Sequence, residues 1–137
     1  MKKIFIIFLA VILLFTITAC GAKDSPSGVV SDCYDALISG NAETFLSCFT
    51  PDIQEGLPEL LAFLTGETVE DYLKWGLEDD PIVKYVITQE ESDGQDHATV
   101  SVDITYESQK VRSRSMDCVK IKGKWYIDFD FMFENPF

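Results

Sequence analysis

The feature that most constrains this chain is the apolar run near its N-terminus. After Lys2 and Lys3, the residues from Ile4 to Ile17 carry no charge, and Thr16 is the only polar side chain among them. Such a run is shorter than the roughly 20 residues with which a helix crosses a bilayer. A basic start, an apolar core and small residues before a cleavage point are typical of a secretory signal peptide. The sequence therefore predicts that residues 1–19 are removed and that the folded part of the chain follows them.

The junction Ile17-Thr18-Ala19-Cys20 resembles the signal of a bacterial lipoprotein. The resemblance implies cleavage before Cys20, a diacylglyceryl group on its sulfur with acyl chains such as palmitate, and a location on the extracytoplasmic side of a bacterial cell membrane. Residues 20–27 are then a lipidated N-terminus and linker, and residues 28–137 form one domain. The alternatives are an ordinary signal peptide with a chance cysteine, or an uncleaved anchor.

The acidic composition limits the partners of the mature chain. The precursor has 23 acidic and 11 basic residues and a net charge of −12, and removal of Lys2 and Lys3 makes it two units more negative. Such a surface repels nucleic acids and anionic lipid headgroups. We therefore expect no nucleic-acid partner, membrane attachment through the acyl chains on Cys20, and an unidentified protein or small-molecule partner.

The first half of the domain has the apolar spacing and the end signals of helices. Spacings of three and four recur on one predicted face, at Val30, Cys33, Tyr34, Leu37 and Ile38. Serine, asparagine and threonine caps, glycines and the Thr50-Pro51 pair mark helix ends. The predicted helices begin at Ser25-Pro26 or Ser27 and end at Gly40, run from Asn41 to Thr50, from Leu57 to Leu64, and from Thr68 to Leu77.

The second half predicts an antiparallel β-meander. Four segments rich in β-branched and aromatic residues are separated by turn residues, and they span Ile82–Glu91, His97–Glu107, Val111–Ile121 and Trp125–Phe133. A first hairpin centred on Asp93-Gly94 pairs apolar residues on one face and places Lys84 opposite Asp103. A second hairpin centred on Ser108-Gln109 places Arg114 opposite the same Asp103. This register predicts one carboxylate between two cations on the outer face.

The third strand leaves two alternatives for the inner face of the sheet. In the predicted register that face continues through Ser113, Ser115 and Asp117, and a bulge near Met116–Val119 would restore the apolar pattern. One interpretation is a hydrated pocket in which Asp117 is the one weak candidate for an acid or base. The other is an earlier bulge, with Met116 and Cys118 inward, Asp117 in water and a plain apolar core. The predicted pocket is lined by Tyr34, Tyr85, Tyr106, Ser113, Ser115 and Asp117, with Trp125 near its rim.

The helical segment Val29–Leu46, followed by a meander that ends in Lys122-Gly-Lys-Trp-Tyr-Ile127, is similar to the nuclear transport factor 2-like superfamily, and within it to small bacterial lipoproteins. The resemblance implies an α+β fold, with N-terminal helices packed on a strongly curved four-stranded antiparallel β-meander that forms a cystatin-like cone. We expect a membrane-anchored extracytoplasmic lipoprotein with a non-enzymatic ligand- or protein-binding domain. The alternative is a small cone-fold enzyme of isomerase or dehydratase type that uses a pocket carboxylate.

The remaining residues predict little chemistry of their own. His97 is the only histidine, and the predicted register places it on the surface across from Glu90, as one half of a solvated pair. The sequence has no Gly-rich phosphate loop, no Cys-x-x-Cys pair and no EF-hand loop, so we expect no cofactor and no metal. Cys33 and Cys48 lie at equal distances from the Gly40-Asn41 turn, which predicts that they are neighbours, either disulfide-bonded or as packed free thiols.

Overall fold

A computed structural model describes residues 22–128 of the chain. The predicted signal peptide, the predicted lipidation site at Cys20 and the predicted strand residues after Asp128 lie outside this range. A 3₁₀ turn at Ala22–Asp24 leads into four helices and four strands. They are α1 (Pro26–Ser39), α2 (Ala42–Ser47), α3 (Pro51–Thr65), α4 (Val69–Glu78), β1 (Ile82–Ser92), β2 (His97–Tyr106), β3 (Val111–Ile121) and β4 (Lys124–Ile127).

The predicted fold class is confirmed. The strands pair antiparallel in the order β1-β2-β3-β4, and the helices precede them in the chain. Helix α1 contacts all four strands and carries the largest share of the buried helical side chains, so it forms the layer opposite the inner face of the sheet. None of the helices in residues 22–128 combines the length and the hydropathy needed to cross a membrane.

Local capping explains where the helices begin and end. The Ser25 side chain accepts a hydrogen bond from the Gly28 amide at the start of α1, and Gly40 ends this helix with a φ of 70°, which suits a residue without a Cβ. Asn41 caps α2 in the same way. These ends agree with the predicted ones. Within the predicted linker, Ala22–Asp24 form the 3₁₀ turn, and α1 begins at Pro26.

Helix α3 is twice as long as the sequence predicted. Its first turn begins at Pro51, and Pro58 lies inside it rather than near its start. Proline has no N–H group, so inside a helix it removes one backbone hydrogen bond. Proline is therefore more typical of the first turn, which is where the sequence analysis placed Pro58. Leu57 and Leu61 are buried on the core side of α3, and we attribute the continued helix to this packing.

The predicted register of the first hairpin is wrong. Tyr85 pairs with Ile104 and Val86 with Asp103, whereas Lys84 lies opposite Thr105. The connection is a four-residue loop in which the Asp93 carboxylate accepts hydrogen bonds from the Gln95 and His97 amides, so it is longer than an Asp-Gly turn. Irregularities in β1 shift the pairing further and leave Val83 52% exposed. Glu90 consequently pairs with Val100, so His97 does not lie opposite it.

The predicted register of the second hairpin is also wrong, by one residue. Asp103 pairs with Ser113, and the Ser113 hydroxyl donates a 2.6 Å hydrogen bond to its carboxylate, so Arg114 is not its partner. The Tyr106 amide donates to the Lys110 carbonyl, so a loop of three residues lies between this pair, and its last residue, Gln109, adopts a φ of 67°. The pairing of β2 with β3 then runs without a break, and the bulge predicted near Met116–Val119 does not occur. A one-residue slip exchanges the two faces of β3.

Polar contacts attach α1 to β1 at two points. The Glu90 carboxylate accepts hydrogen bonds from the Ser27 amide at 3.0 Å and from the Ser27 hydroxyl, at the positive end of the helix. Further along α1, the Tyr85 hydroxyl donates to Asp35 at 2.7 Å and to the Ser31 carbonyl at 3.2 Å. These contacts fix the helix over the inner face, where the side chains described below meet.

Candidate functional site

Two arginines of β3 lie on the inner face of the sheet. Met116 and Cys118 are 0% and 1% exposed, and Arg114 and Arg112 follow the same alternation along the strand. The residues directly across the ladder are Val102 for Arg114 and Ile104 for Arg112, and both of these are buried. The arginines themselves are half-buried. The sheet therefore carries two permanent positive charges toward the helical layer, at the end of β3 near the β2–β3 loop.

Two buried tyrosine hydroxyls lie near these arginines and have no hydrogen-bond partner. Tyr34 of α1 is 1% exposed and Tyr106 of β2 is 5% exposed, and within residues 22–128 neither hydroxyl oxygen has a hydrogen-bond partner. The Tyr34 ring stacks on Tyr85 with 5.3 Å between the ring centroids. A buried hydroxyl without a partner costs about 1–3 kcal/mol, so folded proteins seldom leave two of them together.

Electrostatics also connect these groups. Burial raises the pKa of Tyr34 well above its usual value, and the proximity of Cys33 and Tyr106 raises it further, whereas the positive charge of Arg114 opposes this rise. The Arg112 guanidinium lies over the Tyr106 ring at 5.8 Å from its centroid. We call Tyr34, Tyr106, Arg112 and Arg114 the inner-face cluster. Its chemistry is that of hydrogen-bond donors and fixed positive charge.

The structure places the predicted pocket residues on different sides of the sheet. Tyr34, Tyr106 and Trp125 are buried and Tyr85 is half-buried, as an inner-face location requires. Ser113, Ser115 and Asp117 are exposed on the outer face, where the Thr99 hydroxyl donates to Asp117 at 3.0 Å. They cannot line the predicted pocket, because the three-residue loop turns them outward. The alternative with Met116 and Cys118 inward is the one that the structure shows.

A shallow cleft of about 330 Å³ lies at the opposite end of β3, near the β1–β2 loop. The titratable side chains that line it are Glu91, Asp93, His97, Asp117, Cys118 and Asp128. The imidazole of His97 lies 3.7 Å from Asp93 and is largely exposed. Backbone hydrogen bonds from Gln95 and His97 lower the pKa of the Asp93 carboxyl. No group of these side chains, or of any others in residues 22–128, has the arrangement of a metal site.

The three cysteines of the domain are buried together. Cys33 and Cys48 are free thiols that share a hydrogen bond, and this contact, followed by burial, raises the pKa of Cys33. The Cys48 thiol also contacts the Thr44 carbonyl at 3.2 Å. Burial raises the pKa of Cys118 to about 12, with a further contribution from Asp117. The two cysteines are thus neighbours, and the disulfide between them stays a prediction.

Helices α3 and α4 expose several large apolar side chains. Phe63 is 87% exposed, Leu64 67% and Trp75 65%, and the Trp75 ring lies 6.5 Å from that of Tyr72. Single exposed apolar residues are common on soluble proteins. Nothing in the described range shows what would cover them, so these side chains carry no functional assignment.

Comparison with known proteins establishes the fold. The chain is similar to a SEC-C motif-containing protein from Rhodopseudomonas palustris, with 14% identity and a TM-score of 0.57 over 77% of each chain. It is also similar to a protein described as an NTF2-like transpeptidase from Campylobacter jejuni, with 14% identity and a TM-score of 0.54 over 77% of this chain and 100% of that one. The fold is therefore NTF2-like. No protein-family model and no curated protein matches the chain.

Sequence reasoning missed Arg112 and Arg114 as site residues. The assumed two-residue turn assigned both to the outer face, together with the false Asp103 pair. One available signal was the parity of Met116 and Cys118, since two large apolar residues on alternate positions mark the buried face. Counting back from Met116 by twos reaches Arg114 and Arg112. This assignment holds only if the irregularity lies in the β2–β3 loop and not in a bulge within β3.

Proposed function

We propose that this protein is a lipid-anchored extracytoplasmic domain that binds a small ligand at its inner-face cluster without catalysing a reaction. The observation that carries the proposal is the pair of buried, unpartnered hydroxyls of Tyr34 and Tyr106 beside two inward-facing arginines. Buried polar groups in native proteins are normally satisfied, so a ligand that completes these hydrogen bonds is the simplest explanation. An NTF2-like cone with helices over its sheet provides a suitable frame for such a site.

The chemistry of the cluster favours binding over catalysis. A general acid or base needs a pKa near the working pH. Arginine stays protonated at all relevant pH values, and burial moves the pKa of Tyr34 away from neutrality. The carboxylate that an enzyme of this kind would use, Asp117, is on the outer face. The groups present can orient and neutralise a ligand, and they are poor at moving its protons.

A transpeptidase, as the Campylobacter neighbour is described, would need chemistry that the inner-face cluster lacks. Such a reaction requires a nucleophile activated by a neighbouring base. Within residues 22–128 the imidazole of His97 contacts the Asp93 carboxylate, and the cysteines are 0–1% exposed. Within residues 22–128, His97 therefore forms no such pair with a cysteine thiol.

The proposed lipid anchor would determine how far from the membrane the domain binds its ligand. If Cys20 carries the lipid, only Gly21 separates it from the 3₁₀ turn at Ala22–Asp24, a chain length of about 7 Å between the outer Cα atoms. That turn packs on α1 and β4, with the Lys23 ammonium 4.7 Å from the Tyr126 ring centroid. The domain would therefore be held close against the membrane instead of on a long tether.

The anchor is tested by replacing Cys20 with serine in the full precursor and fractionating cells fed with labelled palmitate. We expect the wild-type protein to be labelled and membrane-bound, and Cys20→Ser to be unlabelled and released. Cys118→Ser is the matched control and should behave like the wild type. A Cys20→Ser protein that stays processed, labelled and in the membrane would contradict the anchor.

Binding is tested by native mass spectrometry of the protein purified from its own membrane in a mild detergent. We expect a non-covalent small-molecule adduct on the wild type that is lost on denaturation. A wild-type protein that is recovered folded, carries no adduct and takes none up from an extract of its cells would contradict the ligand-binding function.

A further inference from the structure

We propose that the end of the domain around the β3–β4 turn is a basic surface that faces the membrane and binds its anionic phospholipid headgroups. This inference rests on the proposed lipid anchor and adds an electrostatic contact between the same protein and the same membrane. We call this surface the basic end. Its four lysines are Lys23, Lys120, Lys122 and Lys124.

The basic residues of the chain are unevenly distributed. The sequence has 11 of them, two of which belong to the predicted signal peptide, and the basic end contains four of the remaining nine. Residues 118–127 carry three lysines and no acidic residue, in a chain with a net charge of −12. The net charge alone predicts repulsion from an anionic surface, whereas attraction depends on which side of the molecule approaches that surface.

The β3–β4 hairpin presents three of these lysines at its tip. Lys122 and Gly123 have φ values of 50° and 81°, and they connect the paired residues Ile121 and Lys124 as a two-residue turn. Lys120, Lys122 and Lys124 are all exposed. The hairpin therefore ends in three positive charges that are in contact with solvent.

The 3₁₀ turn at the start of the domain adds the fourth lysine. This turn packs on β4, and the Lys23 ammonium lies 4.7 Å from the centroid of the Tyr126 ring. Tyr126 lies two positions after Lys124 on the same strand, so the two side chains leave β4 on the same face. The fold thus brings the N-terminal end of the domain to the β3–β4 hairpin.

The charges of the basic end are not neutralised by ion pairs within the domain. Within residues 22–128, none of its four lysines forms an ion pair with a carboxylate. Asp24 follows Lys23 in the chain, and the Asp96 carbonyl accepts a hydrogen bond from the Lys120 amide at 2.7 Å, so two acidic residues belong to this end. They reduce the local positive charge without pairing with it. An anionic surface outside the protein can supply the counter-charge.

The proposed anchor would hold the basic end at the membrane. Lys23 follows Cys20 by three residues, a chain length of about 10 Å between the Cα atoms. The potential of an anionic leaflet falls off over about 8–10 Å at physiological salt, so a lysine at this distance is attracted by it. An acyl anchor and a cluster of lysines are two signals that together give stable membrane attachment.

The first experiment uses the lipidated protein in vesicles and measures how fast an amine-reactive reagent acetylates each lysine, as read by peptide mass spectrometry. Vesicles of phosphatidylcholine are compared with vesicles in which about a third of the lipid is phosphatidylglycerol. We expect the lysines of the basic end to react about three- to fivefold more slowly in the anionic vesicles, and high salt should remove the difference.

Three lysines elsewhere on the domain are the internal controls of this experiment. Lys74 of α4, Lys84 of β1 and Lys110 of the β2–β3 loop are exposed, and their rates should change little between the two kinds of vesicle. A basic end whose lysines are slowed no more than these three would overturn the proposal.

The second experiment removes the acyl chains and so does not depend on the anchor. The full mature chain with Cys20→Ser is sedimented with the same vesicles at low salt. We expect it to bind the anionic vesicles and not the neutral ones. The triple variant Lys120→Gln, Lys122→Gln and Lys124→Gln should bind at least about tenfold more weakly, because each lysine near an anionic surface adds to the attraction.

The matched control is the triple variant Lys74→Gln, Lys84→Gln and Lys110→Gln, which removes the same charge from other parts of the surface. It should bind within about twofold of the Cys20→Ser chain. Equal loss of binding in the two triple variants would assign the effect to net charge and overturn the proposal. A folded Cys20→Ser chain that does not bind anionic vesicles at low salt would overturn it as well.

The outcomes separate this inference from the proposed function. A protein that carries no lipid on Cys20 but binds anionic vesicles through the basic end would overturn the anchor and support the basic surface. A lipidated protein whose basic-end lysines react as the control lysines do would support the anchor and overturn the basic surface.

Discussion

Gln109 is the residue on which the inner face of the sheet depends. Its φ of 67° places it in the left-handed region, which costs an ordinary L-residue about 1–2 kcal/mol relative to glycine. By taking this conformation it closes the β2–β3 hairpin with three loop residues, and the Gln109 amide donates to the Tyr106 carbonyl at 2.9 Å. Because side chains alternate along a strand, this single loop residue sends Arg112 and Arg114 inward and Asp117 outward.

Gln109→Gly should stabilise the protein by about 0.5–1 kcal/mol, because glycine adopts the observed φ without steric cost. The measurement is the free energy of unfolding in urea, followed by tryptophan fluorescence. Glu107→Gly is the matched control in the same loop. Its φ is not positive, so glycine there should destabilise the protein instead. Equal destabilisation by both substitutions would show that the loop strain is not relieved.

The buried thiols should be unreactive in the folded protein. The raised pKa values of Cys33 and Cys118 keep both thiols protonated at neutral pH, and a thiol is a poor nucleophile until it loses its proton. With reductant removed, iodoacetamide should label Cys33, Cys48 and Cys118 only after unfolding, as read by peptide mass spectrometry. A linked Cys33–Cys48 peptide from oxidised protein would establish the predicted disulfide. Rapid labelling of Cys118 in the folded state would contradict the burial argument.

Residue-level prediction succeeded where one side chain acts on its own backbone. Ser25, Asn41 and the Thr68–Asp71 pair were recognised as caps, and each makes the expected contact. The outward placement of Asp103 was also right, but its partners Lys84 and Arg114 were not. The partners of Asp103 depend on the length of the loops. The sequence does not indicate that Gln109 adopts a left-handed conformation, because glutamine seldom does so.

At the scale of elements, the junction between α1 and β1 is stabilised by a charge at a helix end. Glu90 accepts from the Ser27 amide, so a strand residue supplies an anion to the positive end of α1. Glu90→Gln should lower the free energy of unfolding by about 0.3–1 kcal/mol, because the carboxylate charge is lost while the side chain keeps an acceptor oxygen. Urea unfolding measures this, and high salt should reduce the difference.

Glu91→Gln is the control for this prediction, since Glu91 lies next in the same strand and contacts the Gln89 side chain rather than the helix. It should leave the stability of α1 unchanged. Equal effects of the two substitutions would assign the loss to the general charge of β1 and not to the helix end.

The elements themselves were predicted better than their lengths. The bounds of β3 and the start of β1 agree with the sequence analysis, because both segments begin and end at turn residues. The beginning of α3 was missed since Pro58 resembles a first-turn proline, whereas packing of Leu57 and Leu61 carries the helix through it. The β1–β2 loop was missed because Asp93 organises four residues by side-chain hydrogen bonds, where an Asp-Gly pair predicts two.

At the scale of the whole molecule, the order of helices and strands was enough to predict the α+β class, and the resemblance to a known superfamily supplied the NTF2-like fold. Neither predicted which residues would lie on the inner face. The helices and strands follow from apolar periodicity, to which many residues contribute, so one wrong position does not change the prediction. Which side chains of β3 lie on the inner face depends on the register of the strand to within one residue, and a single loop sets that register. This difference explains why the fold class was right while Ser113, Ser115 and Asp117 were assigned to the wrong side.

The interface between α1 and the sheet should also give the molecule a measurable sensitivity to alkali. Cys33, Tyr34, Tyr85 and Cys118 all have raised pKa values, and for Tyr34, Tyr85 and Cys118 burial is the first cause. A group whose pKa is higher in the folded state than in the unfolded state stabilises the fold fully below its unfolded pKa. For Cys118 that value is 9.0, against about 12 in the folded protein. For Tyr85 the corresponding values are 10.0 and about 12.

Stability should therefore hold from neutral pH to about pH 9 and then fall progressively, first as unfolded thiols and then as unfolded phenols lose their protons. The measurement is the free energy of unfolding in urea at a series of pH values up to about pH 10. Cys118→Ala lowers the stability at neutral pH but removes one of the titrating groups, so its free energy should fall less steeply above pH 9 than that of the wild type. A wild-type curve that stays level to about pH 10, or a variant curve parallel to it, would contradict the assignment of the alkaline loss to this interface.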